Sequence, residues 1–175
     1  MSFNCSIVLR DLDINCNNLV TGGVKKIILG LQRDLSVTLD PNDETRVTSV
    51  DLQNHVDFDH NTRDNITLFS ESKSTSNGLG VVNTEITIQI PVLNNKLNII
   101  DLMSRREDLV CIMKHNNGAV TISGWMDGLT MNYEATSGAS RAEKSVVNLS
   151  LVSTSWISSL TINDTSPFAD PTILD

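Results

Sequence analysis

The segment Asp57-Phe58-Asp59-His60-Asn61-Thr62-Arg63-Asp64 places side-chain oxygens at its first, third and fifth positions, as a calcium-wrapping loop begins. The sixth position, where such a loop turns on glycine, is Thr62, and the twelfth, where a bidentate carboxylate closes the cage, is Leu68. The pattern therefore predicts a loop held by Asx turns and no bound cation. His55, His60 and His115 fall at no spacing that aims two imidazoles at one metal. Cys5, Cys16 and Cys111 fit neither a CxxC motif nor a zinc ribbon and cannot all pair in one chain. Reduced thiols made in a cytoplasm are the simplest expectation, with a Cys5–Cys16 disulfide left open. Cys111 sits in the apolar run Leu109-Val110-Cys111-Ile112-Met113 and is expected as a small buried hydrophobe. The sequence holds no Gly-x-Ser-x-Gly elbow, no phosphate-binding loop and no dinucleotide fingerprint. No catalytic site, metal or cofactor is expected, and the chain reads as a structural protein rather than an enzyme.

Composition narrows the partners. The 175 residues carry a formal charge of −8, and basic residues come as isolated pairs, Lys25-Lys26 and Arg105-Arg106. Binding of nucleic acid in a groove needs lysine and arginine against phosphates, so that class is disfavoured. An acidic surface fits both ordinary solubility and a wall that DNA passes without sticking. The N-terminus shows no basic and apolar signal pattern, and no apolar run approaches the ~20 residues of a membrane span. Asn-x-Ser/Thr triplets at Asn4, Asn65, Asn148 and Asn163 are expected by chance in a chain this rich in Asn, Ser and Thr.

The elements that would position any site read as one mainly β domain over residues 1–160. Hydrophobic residues make up 39% and aromatic residues only 4%, an aliphatic core suited to sheets. Strands are expected at 24–31, 35–39 and 46–52, with Asp40-Pro41-Asn42-Asp43 as a turn. Residues 66–75 and 79–90 flank Ser76-Asn77-Gly78 and form a long hairpin. In its second arm Ile86, Ile88 and Ile90 alternate with Glu85, Thr87 and Gln89, a strict period of two. The first arm carries so little apolar surface that the hairpin is expected to project. After Pro91, Leu93, Leu97, Ile100 and Met103 follow a helical period, predicting one amphipathic helix within 93–108, capped by Asn94 or Asn95. Asn116-Asn117-Gly118 marks a tight hairpin, and Met126-Asp127-Gly128 a second turn of the same kind before Leu129, Met131 and Tyr133.

Over about residues 93–160, the order of helix, Asn-Gly hairpin, Gly124-x-x-Asp127-Gly128 turn and Ser137-Gly138-Ala139-Ser140-Arg141-Ala142-Glu143 stretch before a last long strand resembles phage tail tube proteins. The resemblance implies an antiparallel β-sandwich or barrel with one packed helix. It implies a virion structural protein, made in the cytoplasm of a bacterial host, whose copies form hexameric rings stacked around a DNA channel. Its partners would be other copies and other tail proteins, with DNA as non-specific passing cargo and no membrane. A tail terminator or distal tail ring is the nearest alternative. A glycan-binding β-sandwich, using Trp125, Tyr133 and Trp156, belongs to a different class.

On this reading Glu71, Lys73, Ser74, Asn77, Gly78 and Leu79 form the assembly hairpin. Glu71, Lys73, Glu85, Thr87 and Gln89 are the expected channel-facing residues. Trp125 and Trp156 are candidate subunit contacts. Residues 161–175 are expected to form an extension that docks on a neighbouring subunit through Phe168, Ile173 and Leu174.

Overall fold

A strand covered on both faces reads as an unbroken apolar run, whereas a strand with one wet face alternates. Both patterns occur in this chain, and they mark its two large sheets. The computed structural model describes residues 23–41, 43–59, 67–76, 79–91, 94–116, 118–136 and 146–162. The first sheet has the order β11-β8-β7-β1-β4. Its strands are β1 (Val24–Leu31), β4 (Val56–Asp59), β7 (Leu109–His115), β8 (Val120–Ser123) and β11 (Leu160–Ile162). The second has the order β5-β6-β10-β9, with β5 (Thr67–Ser76), β6 (Leu79–Pro91), β9 (Thr130–Thr136) and β10 (Val146–Ser155). A hairpin of β2 (Leu35–Asp40) and β3 (Asp43–Leu52) stands apart from both, and the helix α1 spans Asn94–Ser104. Every described pairing is antiparallel. The protein is thus mainly β, an antiparallel sandwich with one α-helix among its described residues.

Two apolar layers follow from the patterning. Between the large sheets, Ile27, Leu29, Cys111 and Met113 meet Ile86, Ile88, Ile90, Met131, Val147, Leu149 and Leu151. Helix α1 closes this layer with Ile100, supported by Leu97 and Met103. On the other face of the first sheet, Ile28, Val110, Ile112, Val120 and Ile122 pack against Val47, Val50 and Leu52 of the β2–β3 hairpin. Alternate residues of β1 and β7 therefore enter different layers. Gly30 belongs to this packing: a Cβ there would sit 2.8 Å from a Leu52 methyl carbon, so the hairpin can close only over a bare backbone.

The helix ends at Ser104, earlier than the expected span to residue 108, where the Arg106 amide closes a turn on the Met103 carbonyl. The described helix begins at Asn94. The turn at Met126-Asp127-Gly128 also differs from expectation. It joins β8 of one sheet to β9 of the other, so it is a crossing between layers and not a hairpin. Gly128 serves that crossing with φ +74°, and a Cβ there would collide with the Glu107 carbonyl oxygen. Strand β11 includes Thr161 and Ile162, which pair with Thr121 and Val120. The expected extension therefore gives up its first two residues to the domain's own sheet, because β8 offers them an open ladder.

Candidate functional surface

The second sheet buries one face and leaves the other open. Its register puts Ile86, Ile88 and Ile90 of β6 beside Leu151, Leu149 and Val147 of β10 on the buried side. The intervening pairs, Gln89 with Asn148, Thr87 with Ser150 and Glu85 with Val152, face outward. Strand β9 continues the outward row with Thr130, Asn132, Glu134 and Thr136, and β5 with Leu68, Ser70, Ser72 and Ser74. These residues are exposed or half-exposed. The face carries two carboxylates, Glu85 and Glu134, and among its described residues neither lysine nor arginine. Side chains tie neighbouring strands across it: the Gln89 amide donates to the Asn148 side-chain oxygen at 3.1 Å, and the Thr154 hydroxyl to that of Asn83 at 3.0 Å. With ~3.3 Å per residue and ~4.8 Å between strands, the open face measures about 33 by 15–20 Å.

The five residues expected to line a channel do not share a face. Directly opposed residues of an antiparallel pair point the same way. Glu71 stands opposite Thr84 and Lys73 opposite Val82, both on the core side, while Glu85, Thr87 and Gln89 point outward. Reading each arm separately could not reveal this, since the turn length sets which parity of the first arm matches the second. Glu71 instead bridges the sandwich, accepting a hydrogen bond from the Ser159 amide at 2.9 Å. Glu134 and Asn148, absent from the expected set, take its place on the open face.

The hairpin projects less than its length implies. Strand β6 pairs with β10 from Val82 to Pro91, so only the pairs Ser74 with Val81, Thr75 with Gly80 and Ser76 with Leu79 extend past the end of β10. That is about 10 Å of free ribbon. Asn77 and Gly78 lie outside the described residues, as do Phe168, Ile173, Leu174, Cys5, Cys16 and His60.

At the end of the sandwich where this tip lies, two loops are fastened together. The Trp125 indole N–H donates to the Ser158 carbonyl at 3.3 Å, the Ser123 and Ser159 hydroxyls meet at 2.8 Å, and Ser155 donates to the Asp127 carboxylate. The Gln32 amide reaches the Trp125 carbonyl at 3.2 Å and also that of Met126. Trp125 is half-buried against the second apolar layer and anchors the domain itself. Trp156 is 62% exposed next to the exposed Ile157, and the exposed Met126 belongs to the other loop.

The titratable groups with shifted protonation lie away from the open face. Desolvation in the core pushes the Cys111 thiol well above its ordinary range and keeps it protonated. Burial lowers His115, whose Nε2 lies 2.8 Å from the Thr121 hydroxyl. Tyr133 points to the core side at the sheet edge and donates to Asp101 at 3.2 Å. That carboxylate, by accepting the hydrogen bond, raises the phenol above its ordinary value. Asp57 of the calcium-like segment faces Lys26 at 3.5 Å and His55 at 3.4 Å. Among the described residues no three metal-ligating side chains gather, and no helix is long and apolar enough to cross a membrane. No protein-family model, curated protein or solved structure matches the chain.

Proposed function

We propose that the protein is a virion structural subunit of the tail tube kind, whose copies form hexameric stacked rings with the open face of the second sheet lining a channel for DNA. The observation that carries this reading is that face: long strands, a mostly polar surface interrupted by the exposed Leu68 and Val152, two carboxylates and no described basic residue. Duplex DNA is held by fixed positive charge, and a wall without it lets the duplex slide. Other tail proteins would meet the ends of the tube, and no catalysis is involved.

The edges of the sheet favour a ring of copies. Strands β5 and β9 are the outer strands of the described sheet and run in opposite directions, because three antiparallel pairings separate them. A neighbour related by rotation therefore brings its β5 antiparallel to β9, and closing the ring removes both free edges. Six copies supply roughly 24 strands, which at ~4.8 Å spacing and ~40° tilt close at about 50 Å between backbones. Side chains of ~5 Å on each wall leave a bore of roughly 40 Å, ample for a duplex.

A glycan-binding reading gains little support, since the open face has no described aromatic residue, Trp125 is half-buried, and the exposed Tyr133 pairs with Leu149, seven residues along the chain from the exposed Trp156. Electron microscopy of the purified protein tests the proposal: filaments with a central bore are expected. Isolated rings would favour a terminator or distal ring, and dispersed monomers would overturn the tube and ring readings alike.

A further inference from the structure

We propose that each copy finishes the apolar layer of the next: Phe69 of one copy packs on its neighbour's Tyr133 and Ala135 along the inner side of the seam between β5 and β9. The contact rests on reading the protein as a ring-forming tube subunit. Its basis is a difference between the middle and the edges of the second sheet. Directly opposed residues of an antiparallel pair share a face, so Phe69 points inward with Ile86, Tyr133 with Leu149 and Ala135 with Val147. These three middle-strand partners are fully buried, whereas Phe69 is half-buried and Tyr133 and Ala135 are exposed. Met131, the next inward residue of β9, is 2% exposed and already covered in its own copy. The unfinished part of the layer therefore lies at Phe69 on one edge and at Tyr133 and Ala135 on the other.

The two edges themselves select a second copy as the occupant. Their strands run in opposite directions, and each leaves an inward apolar side chain short of full cover, so a copy carries both halves of the joint. Laid antiparallel against β9, with the open faces of both sheets continuous, the neighbour's β5 turns Phe69 to the inner side. In a register that puts Phe69 opposite Tyr133 or Ala135, the other of the two lies on its diagonal, and both are within reach of an aromatic ring. The joint cannot form inside one copy, where β6 and β10 separate the edges by three strand spacings, about 14 Å. Tyr133 is set for the contact: its hydroxyl donates to Asp101 at 3.2 Å, and the same carboxylate accepts from Arg105 at 2.7 Å. A ring held in place loses little freedom on binding. Leu68, 62% exposed on the open side of β5, borders the same joint.

Disulfide trapping in the full chain tests the joint. One preparation carries Ser70→Cys and others carry Asn132→Cys or Glu134→Cys, all with Cys5→Ser and Cys16→Ser; Cys111 stays, buried and protonated. These positions point outward, so the inner contact is left intact. Mixing and oxidation should give linked pairs, with one of the two partners, at about ten times the yield of Ser70→Cys mixed with Ser36→Cys on the β2–β3 cover. A disulfide spans at most ~7 Å between Cα atoms, so no such link closes within one copy. Adding Ala135→Lys, at a position exposed in the single copy, should leave melting unchanged at dilutions that keep copies apart and should remove most of the excess. Equal yields with the Ser36→Cys control would overturn the proposal. So would an excess that survives Ala135→Lys, or a Ser70→Cys preparation that links to itself as readily. Electron microscopy of the same samples separates the two readings. Tubes without the specific link reject the joint and keep the tube, whereas the link without rings or tubes keeps the joint and rejects the tube.

Discussion

In β7 the residues that point away from the sandwich, Val110 and Ile112, are buried under the β2–β3 hairpin, whereas in β6 the residues that do so, Glu85, Thr87 and Gln89, meet solvent. Both strands belong to antiparallel sheets of one small domain, and both sheets needed a solution for the second face. The first sheet received a cover, and its sequence became apolar at consecutive positions. The second, with the longer strands, stayed open and polar. On the proposed reading, the long face free of described basic residues is the wall that DNA passes.

Alanine substitutions on the two faces should separate them most clearly. Ile112→Ala, between the first sheet and its cover, should cost about 2–5 kcal/mol in denaturant unfolding. Ser150→Ala, on the open face, should stay within ~0.5 kcal/mol. Comparable losses at both positions would mean that the open face is covered in the folded protein.

The fit of the cover gives the next largest effect. Gly30→Ala should destabilise by about 1–3 kcal/mol, because the new methyl collides with Leu52. Adding Leu52→Ala to Gly30→Ala should cost less than the sum of the single changes, since the added methyl enters the space that Leu52 vacates. Strict additivity would show that the hairpin does not close on Gly30.

The buried layers also set a pH window. Cys111 has its pKa raised on folding, so above the ordinary thiol value near 8.5 the unfolded chain loses a proton that the native one keeps, and stability falls as pH rises. His115 has its pKa lowered, so below about 6.5 the unfolded chain binds a proton that the native one refuses, and stability falls as pH drops. Melting temperature should therefore decline on both sides. Cys111→Ala should flatten the alkaline side alone, and an unchanged alkaline slope would place its cause elsewhere.

A small effect on stability should accompany the largest on function. Glu85→Lys with Glu134→Lys should change unfolding free energy by less than about 1 kcal/mol in total. The same pair should make assembled tubes retain DNA at low salt and release it at high salt. Passage unaffected by the double substitution would remove the open face from the channel wall.

Much of this arrangement was legible in the residues. The alternation of Ile86, Ile88 and Ile90 with Glu85, Thr87 and Gln89 located the buried and open faces of β6, and the helical spacing of Leu97, Ile100 and Met103 located the face of α1. The parity of β5 was not legible, because a turn of one more or one fewer residue would move Glu71 from one face to the other. The crossing at Gly128 was also hidden: a glycine turn looks the same whether it returns a strand to its own sheet or sends it to the opposite one. The cover over the first sheet had a signal in the unbroken run Leu109-Val110-Cys111-Ile112-Met113, which one buried face alone would not require.

The number of strands in the second sheet has a further consequence. The described strands number four, which is even, so the outer described strands oppose each other in direction, and copies joined edge to edge would alternate correctly around a ring of five, six or seven alike. A sheet of three strands would force a parallel seam at every junction. Strand direction therefore places no restriction on copy number, and ring size falls to the angle at which neighbouring copies meet. That angle differs by only about ten degrees per junction between five-, six- and seven-membered closures, within the scatter of twist between adjacent strands. Substitutions at the β5 or β9 edge should then yield rings of altered membership before they abolish rings, a heterogeneity that class averages of end-on views would resolve.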